Sequence, residues 1–136
     1  VAALGLGITP SEGSDADPAI VFYVQIDQKK GGQVLCALYR DEDTWLSKNP
    51  YRSARTGSDR SIATCRFGSV PEGDYAIAAL HDEDSDGSMD YFLGIPLEGY
   101  AASRNAHLRG IGAPDWEDAI FGHHTEVTIQ RARMKY

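Results

Sequence analysis

The feature that most constrains the fold of this chain is the lack of a long amphipathic helix. Nowhere do apolar residues keep a helical period over about three turns. The chain instead contains short segments rich in Val, Ile, Phe and Tyr, which are typical of β-strands, separated by Gly, Pro and Asp. With 136 residues it is long enough for one domain with a real core. The pattern predicts an all-β fold, a single antiparallel β-sandwich.

Five segments are predicted to form strands: Ala19–Asp27, Gln33–Arg40, Ser61–Phe67, Tyr75–Leu80 and Thr125–Arg131. The turn-like run Lys29–Gly32 separates the first two, so we expect them to pair as a hairpin. Residues 41–60 are polar and irregular, and they are predicted to form a long loop anchored by aromatic residues such as Trp45. Pro114–Phe121 is predicted to form a helical turn.

The N-terminal residues 1–18 are expected to form a flexible tail before a domain that spans residues 19–136. The opening Val1–Gly7 is small, apolar and glycine-rich, as is the end of a trimmed signal peptide or an artificial start of the expressed chain. A trimmed signal followed by a tether favours an exported protein, periplasmic or extracellular. No stretch approaches the roughly 20 apolar residues of a membrane span.

The charge of the chain is concentrated in one place. The net charge is −7, and the segment His81–Asp90 contributes −5 of it. The remaining surface is therefore close to neutral. Nucleic-acid binding requires a basic face, so a nucleic-acid partner is not expected.

The segment His81–Asp90 also has the pattern of a cation-binding loop. It holds five carboxylates and no Lys or Arg, and these like charges repel one another. Aspartates at alternate positions before Gly87 allow a loop to wrap around Ca²⁺, which takes about six to eight oxygen ligands. We predict that the Ca²⁺ ligands are Asp82, Asp84, Asp86, the carbonyl of Ser88, and Asp90. The segment is not an EF-hand, because Leu93 stands where an EF-hand needs Glu. The alternative interpretation of the segment is a solvated polar turn.

The chain has two cysteines, Cys36 and Cys65, and both lie in predicted strands. Their separation excludes a Cys-x-x-Cys redox or zinc pair. In an oxidising compartment they would form a disulfide across the core. The alternative is that they are two small buried hydrophobic residues.

Aromatic residues follow the acidic segment and form a candidate ligand-binding set: Tyr91, Phe92, Tyr100 and Trp116. Exposed aromatic rings beside a calcium loop would suit recognition of a carbohydrate or peptide, and a protein ligand remains open. The alternative is that these rings pack at the open end of a small sandwich.

Two further groups of residues suggest other kinds of site. His81, His123 and His124 would supply imidazoles for a zinc site if they converged. A hydrolase would need Ser103 as nucleophile with His81 or His107 as base and an aspartate as orienting group. No Gly-x-Ser-x-Gly motif surrounds Ser103, so the sequence does not define an enzyme.

Three motifs together resemble a known family. They are Pro71-x-Gly73-x-Tyr75-Ala76, the segment from His81 to Asp90, and Gly94-Ile95-Pro96-x-Glu98-Gly99-Tyr100, followed by Ser103-x-Asn105 and Trp116-Glu117-Asp118-Ala119. They are similar to motifs of a bacterial family of exported proteins, domain-of-unknown-function family 2141, and the resemblance covers roughly residues 19–131. Asp84 and Asp86 stand where Asn is common in relatives. The resemblance implies export and an immunoglobulin-like or transthyretin-like sandwich, and it implies no activity.

These observations together predict an exported β-sandwich protein whose acidic loop binds Ca²⁺ and which acts as a structural or binding module. A carbohydrate- or peptide-binding module is the alternative function, and a Ser/His/Asp hydrolase is a further one.

Overall fold

The computed structural model describes residues 18–26, 32–58, 60–82, 99–106 and 114–135. These residues form eight strands: β1 (Ile20–Gln25), β2 (Gln33–Tyr39), β3 (Arg52–Gly57), β4 (Ile62–Phe67), β5 (Gly73–Asp82), β6 (Tyr100–Ala102), β7 (Phe121–His123) and β8 (Thr128–Arg133). One α-helical turn, α1, spans Trp116–Ala119, and 3-10 turns span Glu42–Thr44 and Ser103–Asn105. The prediction of a predominantly β fold is confirmed.

The strands form two sheets. The three-stranded sheet has the order β4-β1-β8, and the five-stranded sheet has the order β3-β2-β5-β6, with β7 also paired to β5. Strands β1 and β8 are parallel, which corrects the prediction of a wholly antiparallel arrangement. These strands come from opposite ends of the domain, so no tight turn forces them to run antiparallel. The other paired strands are antiparallel.

The predicted opening hairpin is wrong, because β1 and β2 lie in different sheets. Burial accounts for the separation. β2 is buried along almost its whole length, which suits a strand between β3 and β5 in a sheet covered on both faces. β1 alternates between buried and more exposed residues, which suits a sheet with one solvent face.

One apolar cluster joins the two sheets. It includes inward residues of β1, namely Ile20, Phe22 and Val24, and residues of β2 and β5, namely Val34, Cys36, Leu38, Ile77 and Ala79. The sheets therefore pack face to face around a shared core. A disulfide between Cys36 of β2 and Cys65 of β4 crosses this core, with the two Cα atoms 6.5 Å apart.

A second apolar layer covers the opposite face of the five-stranded sheet. Successive side chains of a strand point to opposite faces, so Ala78 and Leu80 of β5 face away from the shared core. They pack with Leu46 and Trp45 from the connection between β2 and β3, and Trp116 of α1 packs against the same group. The strand β5 is consequently buried on both faces.

Several boundaries differ from the sequence prediction. Strand β5 spans Gly73–Asp82, where Tyr75–Leu80 is predicted. Within residues 41–60, predicted as loop, Arg52–Gly57 forms β3, a polar strand that pairs with β2. The last strand is Thr128–Arg133 and begins later than predicted. The helical turn is shorter than Pro114–Phe121, because Phe121 starts β7. None of the helical segments in the described ranges has the length and apolar character needed to cross a bilayer.

Candidate functional site

The fold places the start of the acidic segment beside Gly99 and Tyr100. β5 ends at Asp82 and β6 begins at Tyr100. The backbone N–H of His81 donates to the carbonyl oxygen of Gly99 at 2.8 Å, and Leu80 pairs with Tyr100 across the antiparallel ladder. The predicted ligands Asp84, Asp86, Ser88 and Asp90, and the aromatic residues Tyr91 and Phe92, lie outside the described residues.

Asp82 is the predicted calcium ligand that the structure describes, and its side chain is fully buried, with 0% relative exposure. The strand register places Gln33 of β2 directly opposite. The amide Nε2 of Gln33 donates to Oδ2 of Asp82 at 3.2 Å. A buried carboxylate is costly unless hydrogen bonds or a counter-charge compensate it. The end of β5, where the acidic segment begins, therefore places polar groups inside the fold.

The three histidines considered for zinc do not form one site. His81 is buried, and it projects from the opposite face of β5 to Asp82, because adjacent strand residues alternate. His124 is exposed and its Nδ1 lies 3.4 Å from a carboxylate oxygen of Glu72. Among the residues that the structure describes, no three His, Cys, Asp or Glu side chains converge to hold a metal ion. The zinc alternative drawn from His81, His123 and His124 is therefore wrong.

His123 is a buried structural histidine. Its Nε2 lies 2.9 Å from the carbonyl oxygen of Pro18 and 3.0 Å from that of Val70. Since both partners are acceptors, Nε2 carries a proton. Its Nδ1 bonds to the hydroxyl of Thr128 at 2.7 Å. The imidazole thereby ties β7 to the start of β8 and to two connecting segments.

Ser103, the serine considered as a nucleophile, is used by the backbone. Its fully buried hydroxyl donates to the carbonyl oxygen of Ala119 at 2.6 Å and accepts from the N–H of Ile77 at 2.9 Å. These bonds join β5 to the end of α1. No hydrogen bond links Ser103 to an imidazole within the described ranges, and His107 lies outside them. The geometry gives Ser103 a structural role and does not support the hydrolase alternative.

The turn Ser103–Asn105 is a junction between several elements. Arg104 and Asn105 both have positive φ, 56° and 55°, which is costly for residues with a Cβ. Side-chain bonds stabilise this backbone: Arg104 donates to the carbonyl of Glu117 at 3.2 Å, and Asn105 Oδ1 accepts from the N–H of Arg133 at 3.0 Å. The sequence indicated Ser103 as a family-motif residue and a possible nucleophile, and Asn105 only as a family-motif residue. Their partners are distant in sequence, so spacing gave no signal of this role.

A cleft lies beside the outer layer of the five-stranded sheet. It has a volume of about 400 Å³ and is lined by Glu42, Trp45, Pro114, Asp115, Trp116 and Glu117. The rings of Trp45 and Trp116 meet edge to face at 5.7 Å, and Trp45 Nε1 donates to the carbonyl of Pro114 at 2.9 Å. We call it the tryptophan cleft. Both indoles are half-buried, so part of each remains accessible.

The tryptophan cleft contains one member of the predicted aromatic set, Trp116. Tyr100 is only 8% exposed and its ring lies 5.9 Å from the ammonium of Lys135. It therefore contributes little accessible ring surface. Trp45, which the sequence suggested only as a loop anchor, is instead paired with Trp116. The two tryptophans are distant in the sequence, and only the packing of α1 against the β2–β3 connection brings them together.

The fold and the site define a predominantly β protein with two sheets, in which the acidic segment begins at the buried end of β5. A family described as "Uncharacterized protein conserved in bacteria", domain-of-unknown-function family 2141, matches residues 24–130. This is most of the chain, so the protein belongs to that family, as the sequence motifs predicted. No curated protein and no solved structure matches the chain significantly.

Proposed function

We propose that this protein is an exported binding module in which Ca²⁺ orders the acidic segment, within a sandwich of immunoglobulin-like or transthyretin-like type. The proposed ligands are the carboxylates of Asp82, Asp84, Asp86 and Asp90 and the carbonyl of Ser88. The observation that carries the proposal is the buried Asp82 carboxylate, placed where a segment of charge −5 leaves the sheet. A divalent cation would offset the repulsion among the neighbouring carboxylates of this segment.

The contacts between the end of β5 and the start of β6 support this proposal. The bond from His81 N–H to the Gly99 carbonyl and the pairing of Leu80 with Tyr100 already hold the chain on both sides. The fold has therefore already met the entropy cost of closing the connection between β5 and β6, and cation binding would not add that cost. The ordered segment would then present one defined surface to a partner.

The disulfide supports export. Cys36 and Cys65 join the two sheets through the core. Structural disulfides form and persist in oxidising environments such as the periplasm and the extracellular space. The shared core between the two sheets supports the proposed sandwich type.

Thermal unfolding of the full chain tests the calcium proposal. We expect a higher unfolding temperature in Ca²⁺ than in EDTA, and smaller shifts with Mg²⁺ and Zn²⁺. A free Ca²⁺ concentration of about 100 times Kd would stabilise the folded state by about 2.7 kcal/mol. Asp84→Ala and Asp86→Ala should remove most of the Ca²⁺ effect. Asp74→Ala, which removes an exposed carboxylate of β5, is the matched control and should respond as the parent does.

Two outcomes would overturn the proposal. One is an unfolding temperature that no cation raises. The other is a full response to Ca²⁺ in both Asp84→Ala and Asp86→Ala, which would place the ion elsewhere. Binding should also weaken at acidic pH, where carboxylates take up protons.

The tryptophan cleft favours a second candidate function, recognition of a carbohydrate. Indole surface suits the apolar C–H face of a sugar, and the carboxylates of Glu42 and Glu117 suit its hydroxyl groups. Trp45 and Trp116 are the two tryptophans of the chain, so intrinsic fluorescence reports on this cleft directly. A panel of neutral oligosaccharides should change the emission of the parent, and Glu117→Gln should weaken that response. An unchanged emission across the panel would exclude the candidate.

A further inference from the structure

The solvent face of the three-stranded sheet carries a group of cations at one end. The register pairs Arg131 of β8 with Tyr23 of β1, and Arg133 with Gln25. Ala132, between the two arginines, is buried in the core. Because side chains alternate along a strand, Arg131 and Arg133 share the outward face.

The arrangement of these cations is fixed by specific contacts. The guanidinium of Arg131 lies 4.9 Å from the centre of the Tyr23 ring. The ammonium of Lys135 donates to Asn105 Oδ1 at 2.8 Å and to the carbonyl oxygen of Arg133 at 3.1 Å. Groups held in place before a ligand arrives lose less conformational entropy when it binds.

A cleft opens among these residues. Its volume is about 340 Å³, and it is lined by Gln25, Asn105, Arg131, Ala132 and Arg133. We call it the basic cleft. Among the residues that the structure describes, its lining combines two guanidinium groups with two side-chain amides and contains no carboxylate. Guanidinium and amide N–H groups are hydrogen-bond donors suited to oxyanions.

The cations at this end of the sheet lie close enough to affect one another. Burial lowers the pKa of the Lys135 ammonium, and the positive charge of Arg133 lowers it further. The chain as a whole has a net charge of −7, so this concentration of positive charge is a local exception. An anion in the cleft would interact favourably with these positive charges.

We propose that the basic cleft binds the oxyanion group, carboxylate or phosphate, of a small ligand. Arg131 and Arg133 are the principal contacts, because a guanidinium matches both oxyanions with paired hydrogen bonds. Lys135 adds a point charge, and Asn105 fixes its position. Ile129 lies on the same face as Arg131, two residues earlier, and is 48% exposed. An apolar group next to the oxyanion would therefore be held more tightly than a bare ion.

Isothermal titration of the full chain at constant ionic strength tests this inference, with inorganic phosphate, phenyl phosphate and benzoate as probes. We expect phenyl phosphate or benzoate to bind with Kd of about 1 mM or tighter, and inorganic phosphate to bind more weakly. The single variants Arg131→Gln and Arg133→Gln should each lose about tenfold in affinity. Comparison of phenyl phosphate with benzoate distinguishes a phosphate site from a carboxylate site.

Arg55→Gln is the matched control, because it removes an exposed arginine from β3 in the other sheet. It should leave binding unchanged. A chemical denaturation curve checks that each variant is folded. We expect the fold to be kept, because Arg131 and Arg133 are exposed. The inference is overturned if none of the probes binds at millimolar concentration, or if Arg55→Gln weakens binding as much as Arg131→Gln. This result is independent of the calcium proposal, since Asp82 belongs to the five-stranded sheet.

Discussion

The two sheets of this protein differ in how many of their faces are buried. In the five-stranded sheet, β5 is buried continuously from Tyr75 to Asp82, because the shared core covers one face and the tryptophan-containing layer covers the other. In the three-stranded sheet, β4 alternates strictly between exposed and buried residues. The five-stranded sheet thus has both faces covered along β5, whereas the three-stranded sheet has one face in contact with solvent. Polar groups in the five-stranded sheet need internal partners, whereas charged groups on the solvent face of the three-stranded sheet remain available to ligands.

The largest expected effect comes from the same substitution placed in each sheet. Ile77 of β5 is fully buried, whereas Ile129 of β8 is 48% exposed. Ile77→Ala would leave a cavity in the shared core and should cost about 3 to 4 kcal/mol. Ile129→Ala removes a side chain that already contacts water and should change stability by less than about 0.5 kcal/mol. Urea denaturation of both variants measures the difference, and equal losses would contradict the contrast between the sheets.

The covalent link between the sheets gives the next largest effect. The disulfide between Cys36 and Cys65 closes a loop with a sequence separation of 29 residues. Replacing both cysteines by Ala should lower the free energy of unfolding by about 3 kcal/mol, chiefly because the unfolded chain gains freedom. Urea denaturation measures it, and the parent in a reducing agent serves as the control. Equal free energies of unfolding for the oxidised and reduced parent would show that the disulfide does not stabilise the fold.

A smaller effect is expected at the buried hydroxyl of Ser103, which bonds to β5 of the five-stranded sheet. Ser103→Ala leaves the N–H of Ile77 and the carbonyl of Ala119 without this partner, at a cost of about 2 kcal/mol. Ser53→Ala, at an exposed position of the edge strand β3, is the matched control and should be nearly neutral. Thermal unfolding compares the two. If both serine variants unfolded at the parental temperature, the hydroxyl would have no structural role.

The difference between the sheets also explains what the sequence could predict of the fold. Alternating segments such as β1 and β4 were recognised as strands because one face is apolar and the other is not. The pairing of β1 was not predictable, because its apolar face fits a hairpin with β2 as well as a place in the opposite sheet. Strand β3 was missed because its sequence is polar, and only pairing with β2 makes it a strand.

Prediction of the candidate sites was similarly uneven. The acidic segment was evident from local charge alone, and the position of Asp82 at a strand end fits the interpretation. The tryptophan cleft and the basic cleft depend on contacts between distant parts of the chain. The sequence alone predicts no site at Arg131 and Arg133, because single-sequence spacing does not show that Tyr23 and Asn105 lie beside them.

The smallest effect concerns a hydroxyl group in the outer layer of the five-stranded sheet. Tyr39 is buried, and its hydroxyl donates to the carbonyl oxygen of Ser47 at 2.8 Å. Burial raises the pKa of Tyr39 well above its ordinary value. The folded protein therefore keeps Tyr39 protonated at a pH where the unfolded chain already ionises it. By linkage, the free energy of unfolding is unaffected below about pH 10 and falls as pH rises from there toward the folded pKa.

Tyr39→Phe separates this titration from the hydrogen bond. At neutral pH the variant should lose about 1 kcal/mol, because the bond to Ser47 is gone. Above about pH 10 its stability should fall less steeply than that of the parent, so the gap between the two narrows. Some decline remains in both, since burial also raises the pKa of Tyr75. Urea midpoints across this range measure both slopes. Parallel curves would mean that Tyr39 reaches solvent, and the outer layer would then not seal the second face of the five-stranded sheet.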